Sequence, residues 1–119
     1  MTASIYYVEL HTADLDTTRR FFTDAFGWDP QPFAAPDYLV APATDPSCID
    51  AGLLTSQDGT PRSVPVLKVA SLTDAIASAQ DHGGTVVVDT FTIPGVGRGC
   101  YLVDPAGVLV GLHENDPTA

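Results

Sequence analysis

Lysine is almost missing from this 119-residue chain: Lys68 is the only one, and with four arginines the bases total five against fifteen acids, a formal net charge of −10. A surface so lacking in positive charge repels phosphate backbones and anionic lipid, which excludes nucleic acid and charged membrane as partners. Glutamate is scarce too, since only Glu9 and Glu114 are not aspartates among the acids. An Asp-rich, Lys-poor composition fits a salt-loving host and a GC-rich genome equally well, and it speaks to solubility rather than activity. With only two cysteines there is no disulfide framework. Cys48 and Cys100 both lie in apolar, strand-like surroundings and read as reduced core thiols. No apolar run approaches the length of a membrane span, which is about 20 residues, and neither end resembles a leader peptide. The expectation is a soluble, cytoplasmic, single-domain protein covering residues 1–119.

What is present is a repeat. Tyr7–Leu15 aligns without a gap on Val64–Leu72, 57 positions later. Each copy is a strand pattern, an alanine, a helix-capping residue and a leucine, followed by a helical stretch that ends at Gly27 or Gly84. The alternation over 5–11 predicts a strand, Asp14 the N-cap of a helix, and Leu15, Phe22 and Phe26 its buried face. Trp28–Phe33, broken by Pro30 and Pro32, suits an edge strand. Tyr38–Ala41 and Cys48–Leu54 read as two more strands. The polar stretch 56–63 reads as the linker between module one, 1–55, and module two, 64–114. In module two, strand Val64–Val69 leads to a helix with Ser71 as N-cap and Leu72, Ala75, Ile76 and Ala79 as its apolar face. Thr85–Asp89 and Gly99–Val103 are strands separated by a glycine-rich loop over Ile93–Gly99. Asp104-Pro105-Ala106-Gly107 fits a type I turn before the last strand, Val108–His113. The glycines near Arg98 do not form a phosphate loop, because no strand leads into a helix there and the terminal Lys-Ser/Thr is missing. No Ser-His-Asp or Cys-His arrangement is evident.

The stretch Glu9–Trp28, with Asp14, Phe21-Phe22 and Phe26-Gly27-Trp28, resembles the first module of the vicinal oxygen chelate superfamily, the group of glyoxalases, bleomycin-resistance proteins and extradiol dioxygenases. Gly83-Gly84 and Asp104-Pro105-Ala106-Gly107 resemble its second module. The resemblance covers nearly the whole chain. It implies an α+β fold of two βαβββ modules whose mixed sheet curves into a cup with helices outside, commonly as a homodimer. In metal-using members it places ligands at positions equivalent to Tyr7, Val64 and Gly111, with a fourth on the strand Cys48–Leu54, where only Asp50 carries a donor. Valine and glycine side chains donate nothing to a metal, and neutral tyrosine donates poorly. The resemblance therefore carries no metal and no other cofactor over to this chain.

With position 7 facing the cup, strand alternation groups Ile5, Tyr7, Glu9 and His11 on the cup side, with Val64, Val66 and Lys68 from module two and Leu109, Gly111 and His113 from the last strand. Glu9 and Lys68 are the candidate catalytic pair, or else ion-paired residues at the cup mouth. Tyr7 lines an aromatic ligand site or plugs the cavity. Trp28, Phe33 and Tyr38 stack on a planar ligand or pack in a core or dimer interface. Arg98 contacts an anionic ligand or an aspartate of a partner subunit. Gly111 completes the ligand-binding set together with His11 and His113. Three functions follow. One is a metal-free module that binds a small, largely apolar or aromatic molecule, neutral or cationic, as antibiotic-sequestering members of the group do. Another is a glyoxalase-like lyase or isomerase, using either a displaced metal site of His11, His113, Glu9 and Asp50 or acid–base chemistry by Glu9, Lys68 and a histidine. The third is an interaction protein without a small ligand.

Overall fold

The computed structural model describes residues 2–119. The chain is α+β and is built of two βαβββ modules. It divides into two compact units, one of residues 7–64 and the other of residues 65–119 with the N-terminal residues through Tyr6.

The 7–64 unit holds most of β1 (Ser4–Thr12), then α1 (Leu15–Phe26), β2 (Gln31–Phe33), β3 (Ala35–Ala41) and β4 (Ala51–Thr55). Its strand order is β2-β3-β4-β1, with β1 parallel to β4 and the other pairs antiparallel. Asp14 caps α1 by accepting from the Thr17 amide at 3.1 Å. Gly27 ends it in the left-handed region at φ 76°, and its amide reaches the Thr23 carbonyl, as expected where only glycine turns without cost. One face of this sheet buries Leu39, Ala41, Ala51 and Leu53 against Leu15 and Trp28. Phe26 does not join them. It is 65% exposed and packs edge-on to Phe21 at the helix end, because the chain leaves the helix one residue later. Strand β4 starts at Ala51 rather than Cys48. Asp45 draws residues 45–48 into a turn by accepting from Ser47, which leaves Cys48 exposed and not in the core.

In the other unit, most of β5 (Arg62–Lys68), with α2 (Leu72–Asp81), β6 (Thr85–Ile93), β7 (Gly97–Val103) and β8 (Leu109–Asn115), repeats the plan. The order is β5-β8-β7-β6, with β5 parallel to β8 and the rest antiparallel. Ser71 caps α2 by accepting from the Asp74 amide at 3.2 Å. Leu72, Ala75, Ile76 and Ala79 lie over Leu67, Cys100, Leu102 and Leu112. Burial pushes the Cys100 thiol up to about 11, so this cysteine is an inert core group. The expected glycine-rich loop is shorter than its composition suggests. Phe91–Ile93 pair with Gly97–Gly99, which leaves a three-residue turn with Gly95 at φ 74°. Asp104 makes the turn before β8: its carbonyl accepts from Gly107 and its carboxylate from Ala106 and Val108.

Candidate functional site

In the 7–64 unit the face away from α1 carries Glu9, His11 and Tyr38. Glu9 is only 3% exposed. Burying a carboxylate is costly unless its oxygens are hydrogen-bonded, and both are. Tyr38 Oη donates to Oε2 at 2.6 Å, and His11 Nε2 donates to Oε1 at 3.0 Å. Burial is the main reason the Tyr38 phenol is pushed far above its ordinary value. The adjacent Glu9 charge and Tyr7 act in the same direction, so Tyr38 stays a donor. The approach depends on Gly52, which pairs with Glu9 across β1 and β4. A Cβ there would stand 2.5 Å from Tyr38 Oη and 3.3 Å from Glu9 Cγ. Alternation in the sequence points to Tyr7, Glu9 and His11. It does not point to Gly52, whose signal is a glycine inside an otherwise apolar strand. The Glu9–His11 pair is of a kind that can exchange a proton with a bound molecule.

Trp28 and Phe33 do not join that cluster. Trp28 stacks on Phe22 at 4.5 Å and packs on the α1 side of the sheet. Phe33 ends the edge strand β2 and is 48% exposed.

In the other unit Lys68 Nζ lies 5.1 Å from the Tyr6 ring centroid, a cation–π contact. The His113 ring is 5.8 Å from that of Tyr6, and His113 Nε2 donates to Asn115 Oδ1 at 2.7 Å. Lys68 and His113 pair across β5 and β8, and Val66 and Gly111 form the neighbouring pair. Gly111 is overlaid by Tyr101 and Val66: a Cβ there would meet the Tyr101 ring at 3.3 Å and Val66 at 3.1 Å. Arg98 is held within its own chain by Glu114 at 3.0 Å and Asp116 at 2.8 Å, and Glu114 also accepts from the Leu72 amide at the start of α2. This guanidinium clamps structure. It needs no ligand anion or second subunit to satisfy it.

No family model matches the chain. A Mycobacterium bovis protein provisionally named glyoxylase CFP32 is 27% identical over 115 residues, which is 91% of this chain and 44% of that protein. The chain thus spans less than half the length of the curated relative it matches. A Vibrio splendidus member of the glyoxalase/bleomycin resistance protein/dioxygenase superfamily superposes with a TM-score of 0.67 at 14% identity, over 96% of this chain and 100% of that one. The Mn(II)-bound glyoxalase of Novosphingobium aromaticivorans superposes with a TM-score of 0.64 at 20% identity, over 99% of this chain and 41% of that one. The chain has the vicinal oxygen chelate fold.

The residues at the positions where the resemblance implies metal ligands do not fit an ion. Tyr7 is bound up with Tyr38, Val64 is fully buried and apolar, and Gly111 has no side chain. Asp50, the one donor expected from the fourth strand, lies just before β4. Its Oδ1 accepts from the Ala43 amide at 2.8 Å and its carbonyl accepts from Val8. Of the displaced set, Glu9 and His11 in the 7–64 unit bind each other, and Asp50 in the same unit is engaged by the Ala43 amide. Among the described residues no group of three or more His, Cys, Asp or Glu side chains is placed to hold a metal ion.

Proposed function

We propose that this protein is a metal-free binding module of the vicinal oxygen chelate fold, holding a small, largely apolar or aromatic molecule that is neutral or cationic. The observation that carries this reading is the donor-poor set Tyr7, Val64 and Gly111 at positions where the resemblance implies metal ligands. The net charge of −10 supports a neutral or cationic ligand over an anion. We further propose that the protein acts as a homodimer in the cytoplasm. The exposed Phe21 and Phe26 on α1 and the two free cysteines support this, and no helix among the described residues is long and apolar enough to cross a membrane. Calorimetric titration of a panel of neutral and cationic aromatic antibiotics tests the central reading. Saturable binding by at least one class, with a negative heat-capacity change, is the expected result. A panel without any binder contradicts it.

Glu9 favours a second reading. A buried carboxylate hydrogen-bonded to a histidine suits proton abstraction in a lyase or isomerase that needs no metal. On that reading a bound carbonyl compound exchanges its α-hydrogen with deuterated solvent, and Glu9→Gln abolishes the exchange. Exchange that survives the substitution removes Glu9 from the role.

A further inference from the structure

The two copies of the repeat furnish the inner side of their helix differently. Phe22 in the first copy stands where Ala79 stands in the second, and Phe21, Thr18 and Trp28 likewise correspond to Ser78, Ala75 and Thr85. In the 7–64 unit Trp28 packs on the buried sheet face and Phe22 stacks on it at 4.5 Å. In the 65–119 unit small side chains replace both rings, and an open groove of about 540 Å³ lies between α2 and its sheet. Leu102, Val110 and Leu112 line it from the strands, and Ala75, Ser78 and Ala79 line it from the helix. It lies wholly within that unit. Interiors are close-packed, so an apolar groove that its own side chains leave unfilled forfeits contacts that a ligand can make. Its volume falls in the ordinary range of small-molecule sites, roughly 300–1,000 Å³. What the second copy lacks against the first is ring volume, which points to an aromatic ligand.

Charge narrows the ligand further. Asp74, in the first turn of α2, borders the groove. Its full negative charge outweighs the roughly half positive charge at a helix N-terminus. Lys68 borders the groove as well, but alternation turns its side chain to the opposite face of β5 from Leu67, where its ammonium meets the Tyr6 ring. The chain's −10 acts in the same direction as Asp74, so a cation is favoured over an anion. From Asp74 to Ala79 is roughly 7 Å along the helix axis, a span that a short alkyl linker covers.

We propose that this groove binds an arylalkylammonium ion, with its ring against Ala79, Leu102 and Leu112 and its ammonium at Asp74. The ring takes the place of those that the first copy supplies from its own sequence. This deepens the binding function proposed above and rests on it. It uses none of the residues of the Glu9 cluster.

The probe is phenethylammonium, titrated into the full chain by calorimetry at neutral pH, with hydrocinnamate as an anion of similar length. The ammonium binds saturably and the carboxylate roughly tenfold more weakly. Amide NMR shifts on binding cluster at Ala75, Ala79, Leu102 and Leu112 rather than at Glu9 and His11. Asp74→Asn weakens the ammonium roughly two- to fivefold. Ala79→Phe restores the residue of the first copy, fills the groove and abolishes binding. Circular dichroism establishes that this variant is folded before it is scored; if it is not, the NMR map and Asp74→Asn decide. Shifts centred outside the groove, equal affinity for the two ions, or unchanged affinity in Asp74→Asn or in folded Ala79→Phe overturns the proposal. If the ammonium does not bind but a member of the antibiotic panel does, the groove assignment falls and the binding function stands. If nothing binds, both fall.

Discussion

Tyr38, Glu9 and Gly52 behave as one unit, although they lie on three strands. Each depends on the others: the carboxylate needs the phenol, and the phenol reaches it only because residue 52 has no side chain. Tyr38→Phe leaves a buried carboxylate oxygen one donor short and should cost about 1–3 kcal/mol in chemical denaturation. Gly52→Ala pushes the phenol off the carboxylate, so its loss should be of the same order and should not add to that of Tyr38→Phe in the double variant. The raised Tyr38 ionisation makes a pH prediction. A phenol held protonated in the fold contributes stability that is intact below the unfolded value near 10 and is lost as pH rises above it. The wild type should therefore weaken on the alkaline side more steeply than Tyr38→Phe, as read from denaturation midpoints between pH 9 and 11. Glu9 and His11 were legible in the sequence because strand alternation is a local signal. Gly52 and the Tyr38 contact were not, because they depend on which strand lies beside β1.

Among the elements, the helices were the most legible. Asp14, Ser71 and Gly27 act within one turn of themselves, and each does in the structure what its position in the sequence implies. Asp14→Ala should cost about 1 kcal/mol, measured by thermal or urea unfolding. The strands were less legible. The pairing of Phe91–Ile93 with Gly97–Gly99 consumes glycines that read as a loop, and the Asp45 turn removes Cys48 from the strand assigned to it. Phe26 keeps helical spacing, yet the helix ends beneath it. These outcomes depend on partners distant in sequence or on where a neighbouring element stops. The C-terminal clamp is similar. Asp116 is held at about 2, first by the Thr118 hydroxyl and then by Arg98, while Arg98 also grips Glu114 at the start of α2. A depressed carboxyl contributes stability above its unfolded value near 4 and loses it as pH falls toward 2. Asp116→Asn should therefore be less stable than the wild type at neutral pH, and the gap should close over that acid window.

For the whole molecule, charge and the missing donors matter most. A chain carrying −10 repels itself when folded, and salt screens that repulsion over about 10 Å at 0.1 M. Its melting temperature should rise with added sodium chloride, in contrast to a chain held by surface ion pairs. The fold was legible because the same module is written twice, with Phe26-Gly27-Trp28 in one copy and Asp104-Pro105-Ala106-Gly107 in the other. The resemblance implies the donor-poor positions from the sequence alone: Tyr7 counted back from Asp14, Val64 carried over by the repeat, and Gly111 counted on from Asp104. The most direct test of the account is elemental analysis of the protein purified without chelators. The account predicts less than about a tenth of an equivalent of zinc, nickel, iron or manganese per chain, whereas a value near one equivalent would contradict it.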